Sequence, residues 1–146
     1  MNVLLVRPKS LNIISNVNVI TLEPLDLEYL YTVAVEEKVN CRIFDALLDK
    51  RKLQDILSDF KPDMVAISGY ITQEQVMLDY CKIAKEYNPS VKVMVGGVHA
   101  EVNYTRFYTA SIDYIVHTSS LEPFRRILRL GVNFDDRLLE NIHGIC

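Results

Sequence analysis

The sequence predicts an α/β domain built on a doubly wound sheet of five parallel strands. Three observations carry that expectation. Short apolar or β-branched runs alternate with helix-period stripes from residue 3 to residue 131. Two of the runs, Val3-Leu4-Leu5-Val6 and Met64-Val65-Ala66-Ile67, are apolar at every position, as strands covered on both faces must be. Enough chain separates successive runs for a crossover helix, which parallel neighbours require.

The first strand ends at Arg7-Pro8, and a polar stretch of Asn, Ser and Thr follows, read as loop to about residue 22. Pro24 opens a helix in which Leu27, Leu30, Tyr31, Ala34 and Val35 form the apolar stripe. Cys41-Arg42-Ile43-Phe44 is the second strand, and its charged residue places it at a sheet edge. Leu53, Ile56, Leu57 and Phe60 stripe the second helix, which Lys61-Pro62 ends. The third strand stops at Ser68-Gly69, and Val76, Tyr80, Ile83, Ala84 and Tyr87 mark a longer helix up to Asn88-Pro89.

Val91-Lys92-Val93-Met94-Val95 is the fourth strand and runs straight into Gly96-Gly97. A weak helix over about Glu101–Thr109 precedes a short fifth strand, Tyr114-Ile115-Val116. Leu121, Phe124, Ile127 and Leu128 stripe the last helix, closed by Gly131. With right-handed crossovers and the most apolar strands in the middle, the predicted order is flavodoxin-like, 2-1-3-4-5. Residues 1–131 form one domain in this reading. Residues 132–146 lack periodicity and are expected to begin a linker toward a missing partner domain.

Composition removes several function classes. The 146 residues are 49% hydrophobic and 24% charged, with a formal net charge of −3, so nothing points to nucleic acid. No apolar run approaches ~18 residues, so no membrane span is expected. Cys41, Cys81 and Cys146 are too dispersed for a disulfide framework or a zinc motif. The opening apolar run is cut by Arg7-Pro8, too early for a signal peptide, and a cytoplasmic location is expected.

In a doubly wound sheet, ligands bind beyond the carboxyl ends of the strands. Five loops meet there: residues 7–10, 45–49, 68–72, 96–100 and 117–122. Gly96-Gly97 directly after a strand means either a special backbone angle or close approach of a ligand, and the sequence leaves both open.

A set of features then converges: Arg7-Pro8, Pro24 through Leu30, Lys61-Pro62-Asp63, Ser68, Asn88-Pro89 and Gly96-Gly97-Val98-His99-Ala100, in this order and spacing. The set resembles the N-terminal cobalamin-binding domain of cobalamin-dependent radical S-adenosylmethionine enzymes. The resemblance implies a Rossmann-like domain that holds cobalamin with its nucleotide tail threaded into the protein. Gly96 and Gly97 match the loop that the tail passes, and Ser68 matches a hydroxyl facing it. The candidate cofactor-binding residues are therefore Arg7, Pro8, Ser68, Gly69, Gly96, Gly97, His99 and Thr118. The implied parent is methyltransferase-like, with a radical domain as partner.

Departures from the pattern shape the expectation. Related methyltransferase and mutase domains carry Asp-x-His-x-x-Gly after the second strand, the histidine serving as lower cobalt ligand; here Leu47 of Asp45-Ala46-Leu47-Leu48-Asp49 stands in its place. The implied cobalamin is base-off, without a histidine beneath. After the fifth strand, His117-Thr118-Ser119-Ser120-Leu121-Glu122 replaces the family's Gly-Glu-Gly-Glu stretch; a serine there can still cap the helix. No Cys-x-x-x-Cys-x-x-Cys cluster exists to hold an iron–sulfur centre, so that cluster and S-adenosylmethionine belong to the missing domain. This chain alone cannot run the radical reaction.

Rival readings share the fold. A receiver domain needs acidic residues where this first strand ends in Arg7-Pro8. A flavin module needs a phosphate loop that Pro8 depletes of a donor. A cofactor-free interaction domain is a further alternative, resting on fold analogy. His99-Ala100-Glu101 has the spacing of zinc deaminases, which also need a Pro-Cys-x-x-Cys partner absent here. His99 has two readings, a contact to cobalt or corrin amides, or a local bond at a helix start. His117 and His143 read as surface residues, Asp45 as pocket rim, and Asp49 as a helix cap. Arg125, Arg126 and Arg129 read as a solvated face.

Overall fold

Alternating side-chain direction along the strands, which are buried on both faces, sorts the side chains into two core layers, one on each face of the sheet. The computed structural model describes residues 1–9, 23–134 and 136–146. Its strands are β1 (Asn2–Arg7), β2 (Asn40–Asp45), β3 (Met64–Ser68), β4 (Lys92–Gly96) and β5 (Tyr114–Ile115). Its α-helices are α1 (Leu25–Glu36), α2 (Leu53–Phe60), α3 (Glu74–Tyr87), α4 (Val98–Asn103) and α5 (Leu121–Leu130). Every neighbouring pair of strands is parallel and the order is β2-β1-β3-β4-β5, as predicted, with β2 at an edge.

On one face, Leu4, Val6, Val65, Ile67, Val93 and Val95 pack with Leu57, Val76, Met77 and Cys81 of α2 and α3. On the other, Val3, Leu5, Met64, Ala66 and Met94 pack with Leu27, Leu30, Val33, Ala34, Phe124 and Ile127 of α1 and α5. The register sets Leu5 beside Ala66, Ala66 beside Met94, and Ser68 beside Gly96.

Several local expectations are corrected. In α1, Val33 is buried while Tyr31 and Val35 are exposed. This helix is apolar on more than one side, so its periodicity alone cannot choose the buried stripe. In α3, Met77 and Cys81 are fully buried and Tyr87 is exposed at the helix end. The weak helix starts at Val98 rather than Glu101, directly on Gly97, and passes into a 3-10 turn at Tyr104–Phe107. Ser120 precedes α5 without a side-chain cap bond. Asp49 caps no helix: its carboxylate accepts from the Arg51 backbone N–H at 3.0 Å and from the Arg51 guanidinium at 2.6 Å, four residues before α2. The polar stretch from residue 10 to residue 22 lies outside the described residues.

Residues after α5 return to the sheet. A 3-10 turn covers Asp136–Asn141, and Ile142 is buried against the α1–α5 layer. Gly144, Ile145 and Cys146 then run antiparallel to the fifth strand. The Ile115 N–H donates to the Cys146 carbonyl at 2.7 Å, and the His117 N–H to the Gly144 carbonyl at 2.9 Å.

Candidate functional site

The site begins with three small residues on one face of the sheet. Met64, Ala66 and Ser68 alternate toward α1 and α5, as do Met94 and Gly96 on β4. Above Ala66, Ser68 and Gly96 the sheet surface is low, and the amino-terminal halves of α1 and α5 leave a cleft over it. Leu27, Leu30, Met94, Val116 and Phe124 wall this cleft, while Asp26, Ser68 and Ser120 supply its polar groups. The empty space in it, counted with the solvent at its open mouth, is about 390 Å³.

The two glycines do different work. Gly97 has φ 87° and ψ 176°, a backbone region essentially restricted to glycine, and any Cβ there would collide with the Ser68 hydroxyl. Gly97 therefore serves the turn into α4. Gly96 has no such angle; a Cβ on it would meet only Val116 Cβ, at 3.7 Å. Its missing side chain is space in the cleft wall.

At the mouth, the Ser68 hydroxyl donates to the Asp26 carboxylate, joining the end of β3 to the first turn of α1. Ser68 is buried and Asp26 exposed. At their other ends the two helices are clamped by ion pairs. Arg125 reaches Glu36 at 2.6 Å and Glu37 at 2.7 Å, and Arg129 reaches Glu37 at 2.8 Å. The guanidinium bonds of Arg129 and Arg125 pull the Glu37 carboxyl down to about 2. Arg126 pairs with Glu122, so these arginines face carboxylates rather than forming an anion site.

Of the sequence-predicted residues, the fold brings Ser68, Gly96 and Gly97 together at the cleft. The others sit around it. Arg7 pairs with Asp45 at 3.2 Å across β1 and β2. The Pro8 carbonyl accepts from the buried Gln73 side chain at 2.6 Å, whose oxygen accepts from the Tyr70 N–H at 3.0 Å. Gly69 faces α3, where a Cβ would stand 2.9 Å from the Met77 sulfur. Thr118 packs against Gly144.

His99 lies on the α3 side of the sheet, buried, with Nε2 2.5 Å from Glu74 Oε2 and its ring edge on Phe107. Glu74 in turn takes two bonds from Arg106 at 2.7 Å, and these, with His99, hold its carboxyl below the usual range. His99 thus ties α4 to α3. The sequence did not single out Asp26, Ala66, Met94, Ser120 and Phe124, which line the cleft, or Gln73, which links two of the loops. The alternation Met64, Ala66, Ser68 was the one signal available for part of that set.

Around the mouth, Leu48, Tyr70, Ile71, Val98 and Leu121 are exposed apolar residues that follow the carboxyl ends of their strands. Among the described residues, no group of three or more His, Cys, Asp or Glu side chains could hold a metal ion. Among the same residues, no helix is long and apolar enough to cross a membrane.

Comparison with known proteins gives three findings. The family model for the B12 binding domain matches residues 14–128. A curated relative, the uncharacterized methyltransferase PH0819 of Pyrococcus horikoshii, is 34% identical over 102 residues, which is 68% of this chain and 22% of that protein. Among solved structures, the cobalamin-dependent S-adenosylmethionine radical enzyme OxsB with aqua-cobalamin and S-adenosylmethionine bound aligns with 99% of this chain at TM-score 0.73 and 18% identity. Its apo form aligns at TM-score 0.69 and 16% identity. At these identities the likeness concerns the fold. The chain spans about a fifth of the length of the proteins it matches.

Proposed function

This chain belongs to the B12-binding domain family, and from that premise we propose that the α1–α5 cleft takes up the nucleotide tail of cobalamin, with the corrin resting on the apolar rim. The observation that carries the reading is the slot above Ala66, Ser68 and Gly96, apolar within and polar at its mouth. A flat heterocycle needs such walls, and a nucleotide's sugar needs the polar end. Ser68, Gly96 and Gly97 form the tail site in this proposal; Arg7, Pro8, Gly69, His99 and Thr118 support the surrounding loops or meet the corrin's edge.

The proposed bound state is base-off without a protein imidazole beneath the cobalt. A heterocycle held in the cleft cannot also ligate the metal. Leu47 follows β2 where related domains use histidine, and the chain's three histidines lie elsewhere. His99 is held by Glu74, His117 packs on Tyr104 at 5.2 Å between ring centres, and His143 is exposed. When bound, cobalamin supplies the cobalt chemistry, while this chain binds and orients the corrin.

We further assign residues 1–131 to the cobalamin domain and 132–146 to the chain leading from it, which first packs back on the domain through Ile142 and the backbone of 144–146. The partner in the full protein would be a radical S-adenosylmethionine domain, carrying its own iron–sulfur cluster, in a methyltransferase-like enzyme. The resemblance to OxsB and to PH0819 supports that assignment. With the rim uncovered, this chain by itself binds cobalamin weakly, since a site normally buries ~70–90% of its ligand.

Titration with aquacobalamin followed by electron paramagnetic resonance of the reduced cobalt(II) form tests the reading. Binding with no nitrogen splitting of the cobalt lines is expected. Triplet splitting from an imidazole would overturn the base-off, histidine-free assignment. Absence of binding at millimolar cobalamin would favour the cofactor-free interaction domain, and tight binding of a flavin the flavin module.

A further inference from the structure

Strand register and helix turns set two levels in the α1–α5 cleft. Ser68 and Gly96 stand side by side at the ends of β3 and β4, with Ala66 and Met94 side by side two residues below them. That step is about 6.6 Å at ~3.3 Å per residue. The polar side chains belong to the upper level: Ser68, Asp26 in the first turn of α1, and Ser120 just before α5. One helical turn further in, Leu30 follows Asp26 and Phe124 follows Ser120, and with Ala66 and Met94 they form a floor whose four side chains are all buried. The backbone beneath adds no free partner. Ala66 and Met94 lie on inner strands paired on both sides, so their N–H and C=O groups are spent in the ladder. The Met94 sulfur accepts hydrogen bonds only weakly.

We propose that this floor selects among cobamides by the base of their tail: bases whose far edge is hydrocarbon are taken up, and purines are disfavoured. This rests on the reading of the cleft as the tail site and names the class of tail it takes. In cobalamin both nitrogens of the benzimidazole lie in the ring that carries the sugar, and the far edge is a benzene ring with two methyl groups. A cresol base likewise ends in a methyl group. An adenine base ends in ring nitrogens and an amine. With the sugar at the mouth, the first two lay C–H groups on Ala66, Met94 and Phe124. The third brings donors and acceptors to a level that has no partner for them, and polar groups buried unpaired are costly. One such group is enough for about tenfold in affinity, ~1.4 kcal/mol. The corrin, phosphate and sugar are common to these cobamides, so only the base differs.

The test titrates the chain with the cobalt(II) forms of cresolylcobamide, adeninylcobamide and cobinamide, which lacks the nucleotide tail. Wild type should bind cresolylcobamide more tightly than adeninylcobamide by about tenfold or more. Ala66→Ser sets one hydroxyl on the floor and Met94→Gln an amide, either of which gives a purine a partner. Thermal melts identify the folded variants, and Ala66→Ser is the milder change. Each folded variant should narrow the cresolyl-to-adeninyl ratio by about threefold or more. Release of a base from cobalt is a property of the cofactor, so the change between wild type and variant reports the cleft alone.

Equal wild-type affinity for the two cobamides, or a preference that no folded variant narrows, would overturn selection by the floor while leaving the cleft as tail site. A wild type that binds cobinamide as tightly as cresolylcobamide, or binds none of the three, would instead overturn the tail-site reading and this inference with it.

Discussion

Ala66→Leu gives stability and ligand affinity opposite signs, which few core substitutions do. Ala66 is buried in the middle of β3 between Leu5 and Met94, and its Cβ points into the cleft. In a packed core, a larger side chain costs about 1–3 kcal/mol through strain. Here the three added carbons point into the open cleft rather than into packed side chains. At ~0.8 kcal/mol for each buried carbon, the gain has an upper bound of about 2.4 kcal/mol. Partial exposure at the mouth and lost rotamer freedom reduce it, so a gain of about 1 kcal/mol is expected. The same carbons occupy the volume a heterocycle would fill, and cobalamin affinity should fall at least tenfold, about 1.4 kcal/mol. Urea denaturation gives the first quantity and calorimetric or spectroscopic titration the second. Destabilisation by more than 1 kcal/mol would show that the cleft does not accept these carbons. Unchanged affinity in a stabilised variant would remove the cleft from cofactor binding.

Three further outcomes are expected. Gly97→Ala forces a side chain into a glycine-only conformation and onto Ser68, and should cost about 1–3 kcal/mol in urea denaturation; wild-type stability would show the turn to be relaxed. Glu37 has a depressed pKa in the folded chain, so its contribution is present above the ordinary value of 4.5 and is lost as pH falls toward about 2. Glu37→Gln should flatten the acid limb of the melting temperature in that window, and an unaltered limb would remove the helix clamp from acid stability. Burial pushes the Cys81 and Cys41 thiols up to about 12, whereas Cys146 is exposed, so iodoacetamide at pH 8 should modify Cys146 first by mass spectrometry. Equal early labelling of Cys81 would mean the α3 layer opens readily.

The fold was legible because strands buried on both faces need uninterrupted apolar runs, and Val3–Val6 and Met64–Ile67 have them. Alternation with helical stripes then leaves few topologies. Buried stripes were less legible where a helix is apolar on several sides, and Val33 rather than Tyr31 turned inward on α1 for that reason. The site was legible in part. Ser68 and Gly96-Gly97 could be picked out because each ends a strand at the edge where ligands bind. Asp26, Met94 and Phe124 belong to three elements joined only by strand register and helix packing, which no single stretch of sequence encodes. His99 looked like a ligand by residue type, but its partner Glu74 lies 25 positions earlier and its direction depends on where α4 begins.

The short antiparallel return of Gly144, Ile145 and Cys146 also bears on the open edges of the sheet. A parallel sheet has two raw margins, each a row of backbone donors and acceptors able to recruit another molecule. On the β2 side, Arg42 is exposed and paired with Asp59, so an incoming strand would meet charge. On the β5 side the strand is two residues long, and the return supplies partners for the Ile115 and His117 N–H groups and the Ile115 carbonyl. One margin is guarded by charge and the other by the chain's own backbone. Among the described residues the apolar rim at the carboxyl end therefore stays exposed on a sheet whose two margins are each less open to an incoming strand.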